Sequence, residues 1–471
     1  MAEATPATPP VDDTTIIRQG VTAAIKQTLE PAATQRAYPG HFTIVADGHW
    51  FGMEATWPGL DSWQMAGAYL LLGKTQLVRD YFDYVQASQR TDGNIPYAII
   101  PGDAPPEHAT TYNKGMRYPE DVFTFDPKHP GYTARKWIGS CSHWIAMINP
   151  LGTLAAVSYV LLGDEFFTTT GDKAWLAEKM PSLERAAGYL LSRKSANGLI
   201  AGAGFYTEMP PRHQWDGVAQ CYVVHVFRKC ARLHAALGHA AAAAKWTAEA
   251  DTLAARFRGV FWRGDHYAEY VHPERGVVDL HGLSDVNWAA VAYDVATPAH
   301  ADALWPRMMG EPAFWHGGMP TQTVSKPFTY QEWEFWESHE DVGFKIAVGQ
   351  LYDVAAMGRV WFLEWQACAK RGETKRLRES VVKVCQMGLK EGGFWHERYH
   401  PLQVQRVDWT GPKGYGEYPA ILVRAVLGQP DGVRRRGPAR LSAGSPTSRA
   451  QDFGLDTGAV TTTGSARRLD W

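Results

Sequence analysis

The chain has 471 residues, 45% of them hydrophobic and 20% charged, with 47 Lys and Arg against 49 Asp and Glu for a formal net charge of -2. That profile belongs to a globular protein able to bury a large core, and it gives no electrostatic reason to expect nucleic acid or an anionic membrane as partner. Five widely spaced cysteines without a CxxC pair suggest neither a zinc site nor a disulfide framework, so free thiols are expected. No leader pattern opens the chain and no apolar run reaches membrane-spanning length, which makes the cytoplasm the default location.

Residues 1–14 are rich in Ala, Thr and Pro and are expected to be disordered, as is the Gly/Ser/Thr/Arg-rich stretch 429–471. No linker divides 15–428, which is read as one domain. Within it a unit recurs: an apolar helical stretch ending at Leu-Gly or a similar turn, a second helix, then a polar-Gly-apolar element. The copies are AGAYLLLG with LVRDYFDYVQASQR, LAAVSYVLLGD with SLERAAGYLLSRK, VFRKCARLHAALG with AAAAKWTAEADTLAARFRGVFW, and VWFLEWQACAKRG with KRLRESVVKVCQMGL. Leu77, Tyr81, Tyr84 and Val85 fall on one helical face, and Gly73, Gly163, Gly238 and Gly372 stand where a helix C-cap calls for a left-handed residue. Helical hairpins must cover one another's apolar faces, in an open solenoid or a closed ring. The copies are unequally spaced and separated by long Gly/Pro/Trp-rich segments, which favours an all-α, closed (α/α) barrel with loops built over one end.

Four of those segments hold nearly all the chemistry. GMEATWPGLDSW carries Glu54, Asp61 and Trp63, and GFYTEMPPRHQWDGVAQ carries Glu208, Arg212, Trp215 and Asp216. TYQEWEFWESHEDVG carries Trp333, Glu334, His339 and further acids, and GFWHERYHP carries Trp395, His396, Glu397 and Tyr399. Cleaving a glycosidic bond needs one acid to protonate the leaving oxygen and one carboxylate to activate water or attack the anomeric carbon. Acids lodged among aromatics, as Asp216 and Glu397 are, suit that work, and indole faces suit sugar C–H faces. The plainer alternative for Asp216 is an N-cap of the helix that follows it. For the acidic third segment the plainer reading is a solvated loop, with sugar binding, or Ca²⁺ on His339, Glu340 and Asp341, as the alternatives.

The hairpin repeats and GFWHERYHP resemble the six-hairpin glycoside hydrolases, whose fold is an (α/α)6 barrel, and most of all the trehalases and processing α-glucosidases. The resemblance runs over about 38–428 as architecture and is specific at Phe394, Glu397, Tyr399 and Pro401. It implies Glu397 as general base and Asp216, after Trp215, as general acid, with inversion at the anomeric carbon. Their separation of 181 residues also fits such a barrel. GVAQCY after Asp216 and YGEYPAILV at the end of the barrel depart from the trehalase pattern, which leaves Glu208 and then Asp61 as reserve acids.

The expected substrate is therefore a carbohydrate, held by Asp61, Trp63, Arg212, Trp215, Trp333, His339, Trp395 and Tyr399, with no cofactor or metal. The expected activity is exo-acting glycoside hydrolysis. A barrel lyase or epimerase using Tyr206, His213, His339 or His396, with Arg212 on a uronate, is the second reading, and a non-enzymatic repeat scaffold the third. The oligomeric state is left open.

Overall fold

The computed structural model describes residues 12–34, 40–46, 56–58, 62–96, 98–101, 132–138, 141–147, 153–202, 215–315, 319–321, 323–326, 331–334, 355–399 and 414–428. Its helices alternate between an outer and an inner layer. The first outer helix, α1 (Asp13–Ala23), is capped by Asp12 and runs on through a π-helical stretch, Ala24–Leu29, and a last turn, Glu30–Thr34. There follow inner α2 (Ser62–Leu71), outer α3 (Thr75–Ser88), inner α4 (Leu154–Thr170), outer α5 (Lys173–Ser192) and inner α6 (Gly217–Ala236). Then come outer α7 (Ala240–Phe261), inner α8 (Asp285–Ala292), outer α9 (Pro298–Gly310), inner α10 (Gly358–Arg371), outer α11 (Thr374–Lys390) and inner α12 (Glu417–Leu427).

The inner helices close a ring. α2 packs on α4, α4 on α6, α6 on α8, α8 on α10, α10 on α12, and α12 back on α2, which makes an (α/α)6 barrel. Four hairpins are the ones expected from sequence: α2–α3, α4–α5, α6–α7 and α10–α11. The fifth, α8–α9, has an inner helix of only eight residues. The sixth pair joins the two ends of the chain, since α12 packs against α1 and its π-helical continuation.

Burial explains the layers. Outer α3 buries one stripe, Leu77, Val78, Tyr81, Phe82, Val85 and Ser88, and leaves Gln76, Asp83 and Ala87 exposed, whereas inner α10 is buried over Gly358 to Cys368. Gly73, Gly238 and Gly372 have φ of 76, 80 and 78° and end helices as expected. Gly163 does not. It lies inside α4, where a Cβ would come within 2.7 Å of Leu183 Cδ2 on α5, and the C-cap of α4 is Gly171 at φ 65°. A glycine kept for close helix packing carries the same one-letter signal as a glycine kept for a cap.

All six inner helices supply the plug along the axis. Trp63 of α2 meets Tyr222 of α6 and Phe362 of α10 edge-on, at 6.0 and 5.4 Å between centroids. Tyr293, at the end of α8, packs on Tyr222 at 4.8 Å. Beside them Glu165 of α4 accepts bonds from Trp63 Nε1 (2.9 Å) and Arg424 Nη2 of α12 (2.6 Å), and the Arg424 guanidinium lies 4.9 Å from the Phe362 ring and 5.4 Å from Trp63. Each such aromatic contact adds about 0.5–1.5 kcal/mol beyond its burial.

Small antiparallel sheets decorate the barrel: β1 (Ala98–Pro101), β3 (Cys141–Met147) and β2 (Tyr132–Ile138) in that order, then β4 (Trp215–Asp216) with β5 (Tyr270–His272) and β6 (Gly276–Val278), then β7 (Ala356–Met357) with β8 (Arg398–Tyr399). Cys221, Cys230, Cys368 and Cys385 are free and buried. Among the described residues no helix is long and apolar enough to cross a membrane. Of the expected tails, 1–14 and 429–471, residues 1–11 and 429–471 lie outside the described residues, while Asp12 caps α1 and Asp13 and Thr14 begin it.

Gly388 of α11 faces the Trp395 ring, whose Cζ2 would lie 1.9 Å from an added Cβ. Gly388→Ala is expected to destabilise the fold by about 1–3 kcal/mol through overpacking, read as a lower urea midpoint with an unchanged slope.

Candidate active site

Each inner helix except α12 is followed by a short turn into its outer partner, and every outer helix by a longer segment leading to the next inner helix. This asymmetry gathers the N-termini of the inner helices, and the long segments before them, at one end of the barrel. Positive helix-end dipoles and unused backbone N–H groups collect there, and acidic residues are stabilised by both.

Main-chain bonds tie that rim together. Asp216 pairs with Tyr270, and Gly217 N donates to Glu269 O at 3.0 Å. Asp285 N donates to Thr323 O at 2.9 Å, and Thr323 N in turn to Ala355 O at 3.3 Å. Ala356 and Met357 then pair with Tyr399 and Arg398. The two carboxylates singled out from sequence, Asp216 and Glu397, thus belong to one end of the barrel.

Asp216 is the N-cap of α6, its Oδ1 accepting from Val218 N at 3.0 Å, and it is fully buried. The glycine that follows it is a packing requirement. A Cβ on Gly217 would sit 2.8 Å from Glu269 O and 2.9 Å from the Val286 methyls, so only glycine lets α6 start against β5 and α8. Trp215 is half-buried and spends its indole N–H on Ser195 Oγ at 3.0 Å.

Glu397 lies between α11 and α12 and is 4% exposed, with Oε1 3.2 Å from Nη2 of the buried Arg398. Tyr399 faces back on the same turn, its hydroxyl accepting from His396 N at 2.9 Å, and its burial raises its phenol pKa. The edge of its ring meets Tyr418 of α12 at 5.6 Å.

The rim also holds groups to which sequence reasoning gave no individual role, although it named Glu334 among the acids of its segment. Glu417, the first residue of α12, is fully buried and accepts from Arg359 Nε of α10 at 2.8 Å. Asp285, the first residue of α8, is fully buried as well. Glu269, His281 and Glu334 form a third buried group, with Tyr270 OH donating to Glu334 Oε1 at 2.8 Å. Burial pulls the His281 imidazole down, but Glu269 and Glu334 outweigh it and carry its pKa up to about 9. The available signal was slight: an acid at the mouth of an apolar helix in YGEYPAILV, and Glu269 in the short alternating stretch AEYVH.

The remaining expected residues divide by place. Trp63 is in the axial plug with its N–H on Glu165, and Trp395 is wholly buried with its N–H on Val384 O at 2.9 Å, so both act from the core. Trp333 is half-buried at the rim, its ring 4.3 Å from the Arg275 guanidinium. Glu334 is fully buried, which the solvated-loop reading of that segment did not anticipate. Asp61, Glu208, Arg212 and His339 lie outside the described residues, as do Glu54, Tyr206, His213, Glu340 and Asp341. Among the described residues no group of three His, Cys, Asp or Glu is arranged to hold a metal ion.

This barrel is the fold of the six-hairpin glycosidases. Residues 155–280 match the model of the bacterial α-L-rhamnosidase six-hairpin glycosidase domain, a stretch that runs from α4 past β6 and contains Asp216. A GH78 family rhamnosidase of Bacillus sp. GL1 superposes with a TM-score of 0.53 at 14% identity, over 89% of this chain and 36% of that one. A rhamnosidase from Klebsiella oxytoca with rhamnose bound gives 0.55 at 13%, over 90% and 66%. A GH63 mannosylglycerate hydrolase from Thermus thermophilus in complex with glucose gives 0.54 at 11%, over 86% and 98%. At such identities the likeness is one of fold. No curated protein matches the chain.

Arg359→Met removes the guanidinium that faces the buried Glu417 carboxylate. It is expected to cost about 3–5 kcal/mol, as loss of one member of a buried ion pair does, with a correspondingly lower melting temperature.

Proposed function

We propose that the chain is a glycoside hydrolase, exo-acting and inverting, with Asp216 as general acid and Glu397 as general base. The observation that carries this is the run of main-chain bonds around the starts of the inner helices, which includes Asp216 and the two residues after the buried Glu397, about an axis filled by Trp63, Tyr222 and Phe362. The match of 155–280 to a six-hairpin glycosidase domain supports the same class. Asp216 gives its proton to the leaving glycosidic oxygen as the anomeric C–O bond breaks. Glu397 takes a proton from the water whose oxygen bonds to the anomeric carbon from the opposite face. Glu208 and Asp61 stand in reserve for the acid.

The substrate is an oligosaccharide or small glycoside. Trp215, Trp333 and Tyr399 offer half-buried aromatic surface for sugar faces, and Arg212 and His339 offer polar contacts. Trp63 and Trp395 contribute by filling the axis and packing under the Glu397 turn. The buried thiols of this chain fit a reducing compartment.

On the best substrate of an aryl-glycoside and oligosaccharide panel, Glu397→Gln and Asp216→Asn are each expected to lower kcat by about 10²–10⁴ while the circular dichroism stays native. Proton NMR of the first product formed is expected to show the anomer opposite to the substrate's. A Glu397→Gln enzyme that kept more than about a tenth of kcat would remove the assignment.

A further inference from the structure

We propose that His281 is a positioning residue, which clamps the Glu332–Glu334 turn onto the β5–β6 hairpin through Glu334 and so holds Trp333 at the mouth of the barrel for substrate. The proposal rests on the hydrolase reading for the word substrate; the clamp itself stands on geometry.

His281 is fully buried, with Nδ1 bonded to the Glu269 carboxylate and Nε2 3.5 Å from Glu334 Oε1. Tyr270 OH donates to Glu334 Oε1 at 2.8 Å, and Glu334 Oε2 accepts from Gln331 N at 2.7 Å. The imidazole lies between two buried carboxylates, and its protonated form pairs with both. Next along the turn, Trp333 O accepts from His272 Nε2 at 3.1 Å, and its indole meets the His272 ring edge-on at 5.5 Å with Arg275 at 4.3 Å. One buried histidine thus lies between Glu269, whose carbonyl accepts from Gly217 N beside Asp216, and the turn that carries a half-buried tryptophan.

Among the described residues, the charged groups against the His281 ring are Glu269 from the hairpin and Glu334 from the turn, the latter also bonded by Tyr270 OH, while the backbone N of Lys326 donates to His281 O at 3.0 Å. Because the folded histidine titrates above its ordinary value, the clamp is complete at and below the ordinary histidine range. It is lost as pH rises through about 9.

The test uses the full chain and the best glycoside of the panel. His281→Gln is expected to raise KM about tenfold with kcat within about twofold, and to lack the rise in KM expected of the native enzyme as pH passes about 9. Trp333→Ala should raise KM similarly, and the double variant should be no worse than either single one. Hydrogen–deuterium exchange at Gln331 and Glu334 should speed up about tenfold in His281→Gln and stay native in Trp333→Ala. An unchanged KM in either single variant, additive effects, or native exchange at the turn in His281→Gln overturns the proposal. If His281→Gln does not fold, Glu334→Gln must show the same KM and exchange changes, and the proposal falls if it does not. A chain inactive on every glycoside, or a Glu397→Gln variant as active as the native enzyme, removes the hydrolase reading instead, and the exchange result still decides the clamp.

Discussion

Each inner helix of this barrel is apolar on most of its circumference, so it must be covered by two inner neighbours and an outer partner at once. All six can meet that demand together only if the ring closes on itself. Closure then sets the next constraint, because the axis of the ring must be filled. Trp63, Tyr222, Phe362 and Tyr293 fill it, and the ion pair beside them, Glu165 with Arg424, lies where Trp63 can donate to the same carboxylate oxygen. The plug closes the axis of the ring, and the buried acids described above gather at the end where the inner helices begin.

At that end the chain spends its acidic residues on helix starts. Asp216, Asp285 and Glu417 each begin or cap an inner helix and each is fully buried. In the open solenoid of the scaffold reading such residues would face water as ordinary caps. Inside a closed ring they face one another's neighbourhood, and an N-cap becomes a carboxylate held rigidly at the mouth of the barrel. The N-cap and catalytic readings of Asp216 are thus compatible: the cap fixes the carboxylate that the chemistry would use.

How much of this the sequence made legible follows from where the signal lies. Four hairpins were readable because their helices are long and their apolar residues recur within a few positions. α8 was not, because eight residues hold barely two turns and α9 contains Pro306. The sixth pair was not, because its helices are the first and the last of the chain. Glu397 and Asp216 stood out through aromatic neighbours in sequence, which is a local property. The side chains that meet Glu417 and Glu334 lie tens of residues away, 58 for Arg359 and 64 for Tyr270, so no local window contains those pairs. The same limit made Gly163 look like a cap and Trp395 like a sugar platform, when the partner of each is a side chain or backbone group of a neighbouring helix.

The meeting of α12 with α1 carries a consequence for how the molecule comes into being. During synthesis the ribosome delivers the outer strap α1 first and the inner stave α12 last, so until the final segment emerges the barrel is a horseshoe with its seam open. Through that interval the apolar edges of α2 and α10 have no cover, and the axial ion pair lacks Arg424. Local hairpins can form as they appear, but the closing event joins residues roughly four hundred positions apart, the most costly kind of contact to make early. The keystone of the arch is the last stone laid, and the rim on which the chemistry depends takes its shape only when it drops into place.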